Sequence, residues 1–427
     1  MRRFLRYFLI CTLVISLPII VAAQSTQAHW VQAQETIYGI ARMYGITVEQ
    51  LIQANPEMKQ PGYQLKTSTT IRVPVRQPSI QLGVMLPLHQ INNDGKRMVE
   101  YYRGVLMACD SLKKVGISVD VYAWNLPETA DINPILQDPN AARCDIILGP
   151  MYSRFVEPLS NFAAQHDILL VIPFSIQAPQ LYENRHIFQV FQTSTELTES
   201  TARRCADWFK DYHPIIVDCA DSTSTKGKFT AAFRRQLEVK GIQYSLTSLK
   251  SSEMDFSKAF LKDRPNLVVL NTSRSPDLLS AFGRLSTVTA TTSNIQIAMF
   301  GYTEWMMYTQ YQMENFYNNN VYIPAPFYTN PQSPQTEHLM RLYRRHFNQD
   351  MIIAMPRFAL TGFDHAMFFL HGLKKYGKAF EGTAGSLDLQ PVQTPLKFER
   401  IGNGGLQNRA FMFIHYKDDH SVETLNY

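Results

Sequence analysis

A chain of 427 residues is too long for one hydrophobic core, so two or three domains are expected. Hydrophobic content of 45% with 12% aromatics excludes a disordered chain. The net charge of +5 includes Arg2, Arg3 and Arg6 of an N-terminal leader and falls to +2 without them. With no clustered Lys/Arg face, a nucleic-acid partner is not expected.

Residues 1–23 read as a secretory signal peptide. Three arginines precede a largely apolar stretch over 7–20, and Val21, Ala22 and Ala23 stand at the cleavage positions, leaving Gln24 as the new N-terminus. The apolar stretch is shorter than the ~20 residues of a spanning helix. Cleavage and export to the periplasm or cell envelope are therefore expected, with no membrane span in the mature chain. Cys11 follows Ile10 rather than a small residue, which argues against lipidation.

Residues 30–74 read as strand, helix, helix, strand. Ile37, Ile40, Ala41 and Tyr44 form an i, i+3, i+4, i+7 stripe, Thr36 stands at its N-cap, and Gly45 suits a left-handed C-cap. A second helix starts at Thr47 with Gln50 three residues on, a capping box, and turns Leu51 and Ile52 inward. A unit this small has a thin core. The set Thr36, Ile37, Ile40, Ala41, Tyr44, Gly45, with Leu51, Asn55, Ile71, Val73 and Pro74, resembles a LysM domain. It departs at Gln34-Glu35, where the family carries Gly-Asp, at Ser68, where it carries Gly, and in a longer loop over 56–64. The resemblance implies binding of N-acetylglucosamine-containing chains, as in peptidoglycan, in a groove between two loops. Glu35, Thr36, Ile37, Asn55 and Pro56 could supply the polar groups and the apolar floor that sugars need. The alternative is that Thr36 and Asn55 only cap and brace the turns. The domain is expected over 24–75, with a linker over 76–79.

From residue 80 the pattern changes. Short apolar runs recur at 80–88, 117–122, 146–148, 168–172, 215–217, 267–270 and 295–300, most of them continuous, as in strands covered on both faces. The run 117–122 alternates and suits a sheet edge. Amphipathic stretches lie between, among them the stripe Met98, Tyr101, Tyr102, Val105, Leu106, Cys109 and Leu112, and the segments 155–166 and 229–240. Such alternation predicts a doubly wound α/β body, whose ligands bind beyond the carboxyl ends of the strands.

Within that pattern, the run from Gly83 to Leu88, the strand-ending Gly149-Pro150, the segment Pro173-Phe174-Ser175 and Gly362-Phe363-Asp364-His365 resemble, in that order, the type I periplasmic binding protein fold of branched-chain amino-acid receptors of ABC transporters. The resemblance covers about residues 80–427. It implies two lobes joined by three crossovers, one at about 80–192 plus 330–385 and the other at about 193–325 plus 390–427. It also implies an inter-lobe cleft with Ser153, Ser175, Tyr302 and Glu304. Glu304 would meet a ligand ammonium or remain an exposed loop carboxylate. The threonine expected after Ser175 is Ile176, and 218–227 lacks the aromatic clamp. An incomplete clamp favours a fold turned to a partner, as in the outer-membrane lipoprotein activators of penicillin-binding proteins.

Catalytic frames are absent. Asp218-Cys219 resembles the start of a cysteine-peptidase motif but is followed by Ala220-Asp221 and by no histidine in a comparable motif, so Cys219 reads as a strand-end residue. There is no Gly-x-Ser-x-Gly elbow and no His-Glu-x-x-His or Cys/His metal cluster. His365 and His371 lie on an apolar helix, and 402–405 reads as a hairpin turn. Cys109, Cys144, Cys205 and Cys219 suit either disulfides or burial. The expectation is a non-catalytic, exported peptidoglycan-binding protein without cofactor or metal, whose bilobed domain recruits or senses an envelope partner such as a cell-wall synthase. The alternatives are a wall-tethered receptor for an amino acid or muropeptide, and a divergent peptidoglycan hydrolase.

Overall fold

The computed structural model describes residues 26–75, 79–175, 177–331 and 333–426. The expected leader, most of the linker and Ile176 lie outside the described residues. Two compact units divide between residues 78 and 79.

In the small unit, β1 (Thr26–Trp30) pairs antiparallel with β2 (Thr70–Pro74), and α1 (Ile37–Met43) and α2 (Val48–Ala54) lie between them in sequence. Local chemistry sets the helix starts. The Thr36 hydroxyl accepts from Gly39 N–H at 2.9 Å, and Thr47 and Gln50 form the reciprocal capping box. Ile40, Ala41, Leu51, Met58, Ile71 and Val73 fill a core of few residues.

The large unit holds two seven-stranded sheets. The first lobe has the order β13-β14-β7-β6-β5-β3-β4, built from β3 (Ile80–Leu86), β4 (Val119–Asn125), β5 (Ile146–Leu148), β6 (Leu169–Ile172), β7 (Ile187–Gln189), β13 (Phe398–Arg400) and β14 (Leu406–Asn408). β3 to β7 run parallel, and β4, whose residues are at most half-buried, closes one edge. The second lobe has the order β16-β15-β12-β11-β10-β8-β9, from β8 (His213–Asp218), β9 (Ser245–Ser248), β10 (Asn266–Leu270), β11 (Ile297–Phe300), β12 (Val321–Ala325), β15 (Met412–Tyr416) and β16 (Val422–Asn426).

The chain crosses between the sheets at 190–193, 326–333 and 409–411. One expected boundary is corrected. Residues 390–408 do not belong to the second lobe, because β14 pairs parallel with β7, Leu406 opposite Phe188, and β13 pairs with β14. Phe398 packs edge-on against Phe188 and joins Phe369 and Phe380 in the first-lobe core. Those aromatic contacts hold the segment in place.

Two helices cover one face of the first sheet, α3 (Asn93–Lys114) and the late helix Phe358–Tyr376. They touch backbone to backbone. A Cβ on Gly104 would lie 1.8 Å from Ala359 O, and one on Gly362 would lie 2.0 Å from Tyr101 O. The glycine of the Gly-Phe-Asp-His motif is therefore a packing requirement.

Candidate functional site

In the small unit, the turn before α1 is organised by Glu35. Its Oε2 accepts from Gln32 N–H at 2.7 Å and lies 2.9 Å from His29 Nε2, while His29 Nδ1 meets Tyr44 Oη at 2.9 Å. The Gln32 N–H first, and His29 second, hold the Glu35 carboxyl below its usual range. Gln34 has φ 69° and Ser68 φ 61°. Both hold the left-handed backbone that glycine adopts most readily. Thr36 and Pro56 are exposed, and Ile37 is half-buried.

Asn55 departs from the expected set. It is 1% exposed, and its amide is spent inside the unit. Nδ2 donates to Leu51 O at 2.8 Å and to Arg72 O at 2.6 Å, and Oδ1 accepts from Arg72 N–H at 2.8 Å. Its side chain staples α2 to β2 and has no free group for a sugar. His29, which aims the turn through Glu35, was missed from sequence. Its sign there is only an inward position on an otherwise exposed strand.

In the large unit, a pocket of about 660 Å³ opens in the second lobe. Its walls come from the helices Ser194–Trp208 and Gly227–Val239, from 302–304 after β11, from Pro324 on β12, and from Pro326 and Phe411 at the crossovers. Phe229 and the Tyr302 ring make its apolar floor, and Phe300 is fully buried. The Tyr302 hydroxyl points away and donates to Leu270 O.

Of the four expected cleft residues, Tyr302 and Glu304 share this pocket; Ser153 and Ser175 do not line it. Ser153 opens an exposed turn on the first lobe, and Ser175 hydrogen-bonds Gln177 within its own loop. Glu304 has its ammonium partner within the chain: Lys226 Nζ donates to its Oε1 at 2.6 Å and lies 4.8 Å from the Tyr302 ring centroid. Sequence reasoning missed Lys226, because the pairing spans 78 residues.

Polar bonds tie the crossovers together. Gln393 accepts from Thr329 Oγ1 at 2.6 Å and Arg357 N–H at 2.9 Å and donates to Thr361 Oγ1 at 2.8 Å. Buried Asp364 accepts three backbone N–H bonds from Val392, Gln393 and Thr394, each 2.8 Å. Burial outweighs those bonds and pushes its carboxyl up to about 7. Glu196, on the second lobe, accepts from Gln407 Nε2 at 3.0 Å and lies 3.6 Å from Arg409.

Cys219 is 8% exposed, and burial pushes its thiol up to about 12, the reverse of an activated nucleophile. Among the described residues the four cysteines, Cys109, Cys144, Cys205 and Cys219, are free. His365, fully buried against Tyr101 Oη at 3.0 Å, is lowered to about 3 by the same cause. Among the described residues no group of His, Cys, Asp or Glu is placed to hold a metal, and no helix is long and apolar enough to cross a membrane.

Residues 29–74 match the family described as LysM domain, and residues 140–395, more than half of the chain, match that described as periplasmic binding protein. No curated protein sequence matches. A branched-chain amino acid ABC transporter structure from Rhodospirillum rubrum aligns at 13% identity and TM-score 0.55, covering 82% of this chain and 100% of that one. Full-length LpoA from Haemophilus influenzae aligns at 13% identity and TM-score 0.50, covering 82% of this chain and 60% of that one. The C-domain of that LpoA, described as a regulator of PBP1A, aligns at 14% identity and TM-score 0.47, covering 81% of this chain and 99% of that one. The two-sheet body, its three crossovers and the match over 140–395 agree: the chain belongs to the periplasmic binding protein family and carries a LysM domain ahead of that body.

Proposed function

We propose that this is an exported, wall-associated binding protein. Its LysM domain holds N-acetylglucosamine-containing glycan through the turn carrying Glu35, Thr36 and Ile37, with Pro56 on the second loop. Its bilobed body engages a protein partner in the envelope, a cell-wall synthase in the strongest version of this reading. No bond-breaking chemistry is assigned to either unit. The observation that carries the reading is the pairing, in one chain, of a LysM domain with a binding-protein body whose pocket carboxylate is already neutralised by Lys226. LpoA supports the synthase version through fold alone.

The test is co-sedimentation with purified sacculi. The whole chain is expected to sediment, and residues 79–427 to stay in the supernatant. Equal behaviour of the two would remove the wall-binding role. The 660 Å³ pocket favours a second reading, a wall-tethered receptor for a small solute. Saturation at about 100 times the dissociation constant stabilises a protein by ~2.7 kcal/mol. A flat thermal-shift screen across amino acids and muropeptides would retire that version.

A further inference from the structure

The second-lobe pocket carries information about its ligand that the fold does not. A site for a free amino acid needs an unpaired carboxylate to receive the ammonium. Here that acceptor is occupied. Lys226 reaches across the pocket wall, and its ammonium lies between the Glu304 carboxylate at 2.6 Å and the Tyr302 ring at 4.8 Å. A carboxylate and an aromatic face together form a cage for a cation, and one from the same chain fills it. The Lys226 side chain is 21% exposed and the Glu304 side chain 43%, so the cation is the more deeply held member. A solute amine would have to displace a tethered lysine.

The charges that remain point the other way. Arg235 on the pocket wall is paired with Glu199 at 2.6 Å. Lys228, also on the wall and exposed, forms no ion pair among the described residues. The lining charges are Lys226, Lys228 and Arg235 against Glu199 and Glu304; with Lys226 paired to Glu304 and Arg235 to Glu199, the excess of one positive charge is that of Lys228. The Lys226 ammonium has three donors and spends one on Glu304. The pocket is also lined by Ser194 and Thr195 and by an apolar floor of the Phe229 and Tyr302 rings, with Phe300 and Phe411 fully buried. Every lining residue belongs to the second lobe or to a crossover, so a ligand can enter without closure of the first lobe onto it.

We infer that this pocket receives a carboxylate rather than an amine, and that its occupant is an acidic peptide segment of a protein partner, with an apolar residue on the aromatic floor and an Asp or Glu against Lys226 and Lys228. This rests on the reading of the bilobed body as partner-binding and adds the chemistry of the partner.

Three matched probes test it by calorimetric titration into the whole chain: acetyl-Leu-Glu-amide, with one carboxylate and no amine; its neutral isostere acetyl-Leu-Gln-amide; and leucinamide, with an amine and no carboxylate. The glutamate peptide is expected to bind at least tenfold more tightly than the glutamine peptide, the ratio that one charge-assisted hydrogen bond supports. Leucinamide is expected not to bind. Lys228→Met, on the exposed rim, should lower the glutamate preference severalfold. Lys226→Met should abolish it and let leucinamide bind through the freed Glu304, a gain that misfolding does not produce. Equal binding of the two peptides, no binding of either, or binding of leucinamide to the unaltered protein overturns the inference. Sacculus sedimentation of the same samples keeps the two claims apart, because a pocket that fails these tests in a chain that still sediments leaves wall binding intact.

Discussion

Replacing Asn55 by alanine separates two roles that a loop asparagine can play. The structure spends its amide on Leu51 O, Arg72 O and Arg72 N–H at 2.6 to 2.8 Å, bridging α2 and β2 across 17 residues of chain. Removal strands one backbone N–H and leaves two carbonyls short of a partner, and each unsatisfied buried group costs about 1–3 kcal/mol. Part of that is recovered by water at the strand edge, so the expected loss is about 2–4 kcal/mol. A domain of this size has a total stability of only about 3–7 kcal/mol, taking roughly 0.05–0.15 kcal/mol per residue. Asn55→Ala should therefore bring the LysM domain close to unfolding and leave the body untouched. Hydrogen exchange followed by mass spectrometry on the whole chain reads both units at once. Peptides over 48–54 and 70–74 should exchange much faster, and those over 80–86 and 297–300 as before. If protection in the LysM domain is unchanged while sacculus sedimentation falls, Asn55 is a sugar contact and the bracing account is wrong.

Gln34→Gly should stabilise the LysM domain by about 1 kcal/mol, because Gln34 holds φ 69° where a side chain is strained; an unchanged or lower melting temperature would contradict that. Glu35→Ala with Thr36→Ala should weaken sacculus sedimentation, with the thermal unfolding of 79–427 unaltered; unchanged sedimentation means this turn is not the groove. Gly104→Ala should cost about 1–3 kcal/mol or more, since its Cβ would lie 1.8 Å from Ala359 O, and urea unfolding of the body reads this directly. Asp364 gives a pH signature. Its folded carboxyl is raised to about 7, so the native state binds the proton more tightly than the unfolded chain. Its contribution to stability is therefore greatest at low pH, declines as pH rises from about 4 to about 7, and is flat above. Urea midpoints at pH 5, 6, 7 and 8 should show this slope in the unaltered chain and lose it in Asp364→Asn.

Much of the fold could be read in the chain because it is local. Caps at Thr36 and Thr47, the stripe through α1 and the continuous apolar strands need only neighbouring residues to be recognised. The misplaced stretch, 390–408, carries two three-residue strands whose position depends on Phe188 more than 200 residues earlier. No period can be seen in three residues. The site was less legible for the same reason. Glu304 and Tyr302 were found because they follow a strand end, whereas Lys226 comes to them from another helix, and Asn55 reads the same whether it faces a sugar or a backbone.

The crossovers bear on which of the two ligand readings the body suits. A solute receptor traps its ligand by closing one lobe on the other, which needs a joint that rotates freely and a ligand that bridges both walls. Here Gln393 bonds to Thr329 on the second crossover and to Thr361 on the late helix, Asp364 anchors the irregular segment carrying Gln393, and Glu196 reaches from the second lobe to Gln407 and Arg409. The bonds of Thr329 to Gln393 and of Glu196 to Gln407 and Arg409 leave the first lobe, and these must stretch or be exchanged for the lobes to rotate. The pocket walls, in turn, need nothing from the first lobe's sheet. A body with a stitched joint and a one-sided pocket offers a fixed face, and a fixed face is worth more to a macromolecule docking from outside than to a solute that must be enclosed. Loosening the joint with Gln393→Ala should therefore leave binding of an acidic peptide nearly unchanged, whereas a receptor that works by closure would change its affinity.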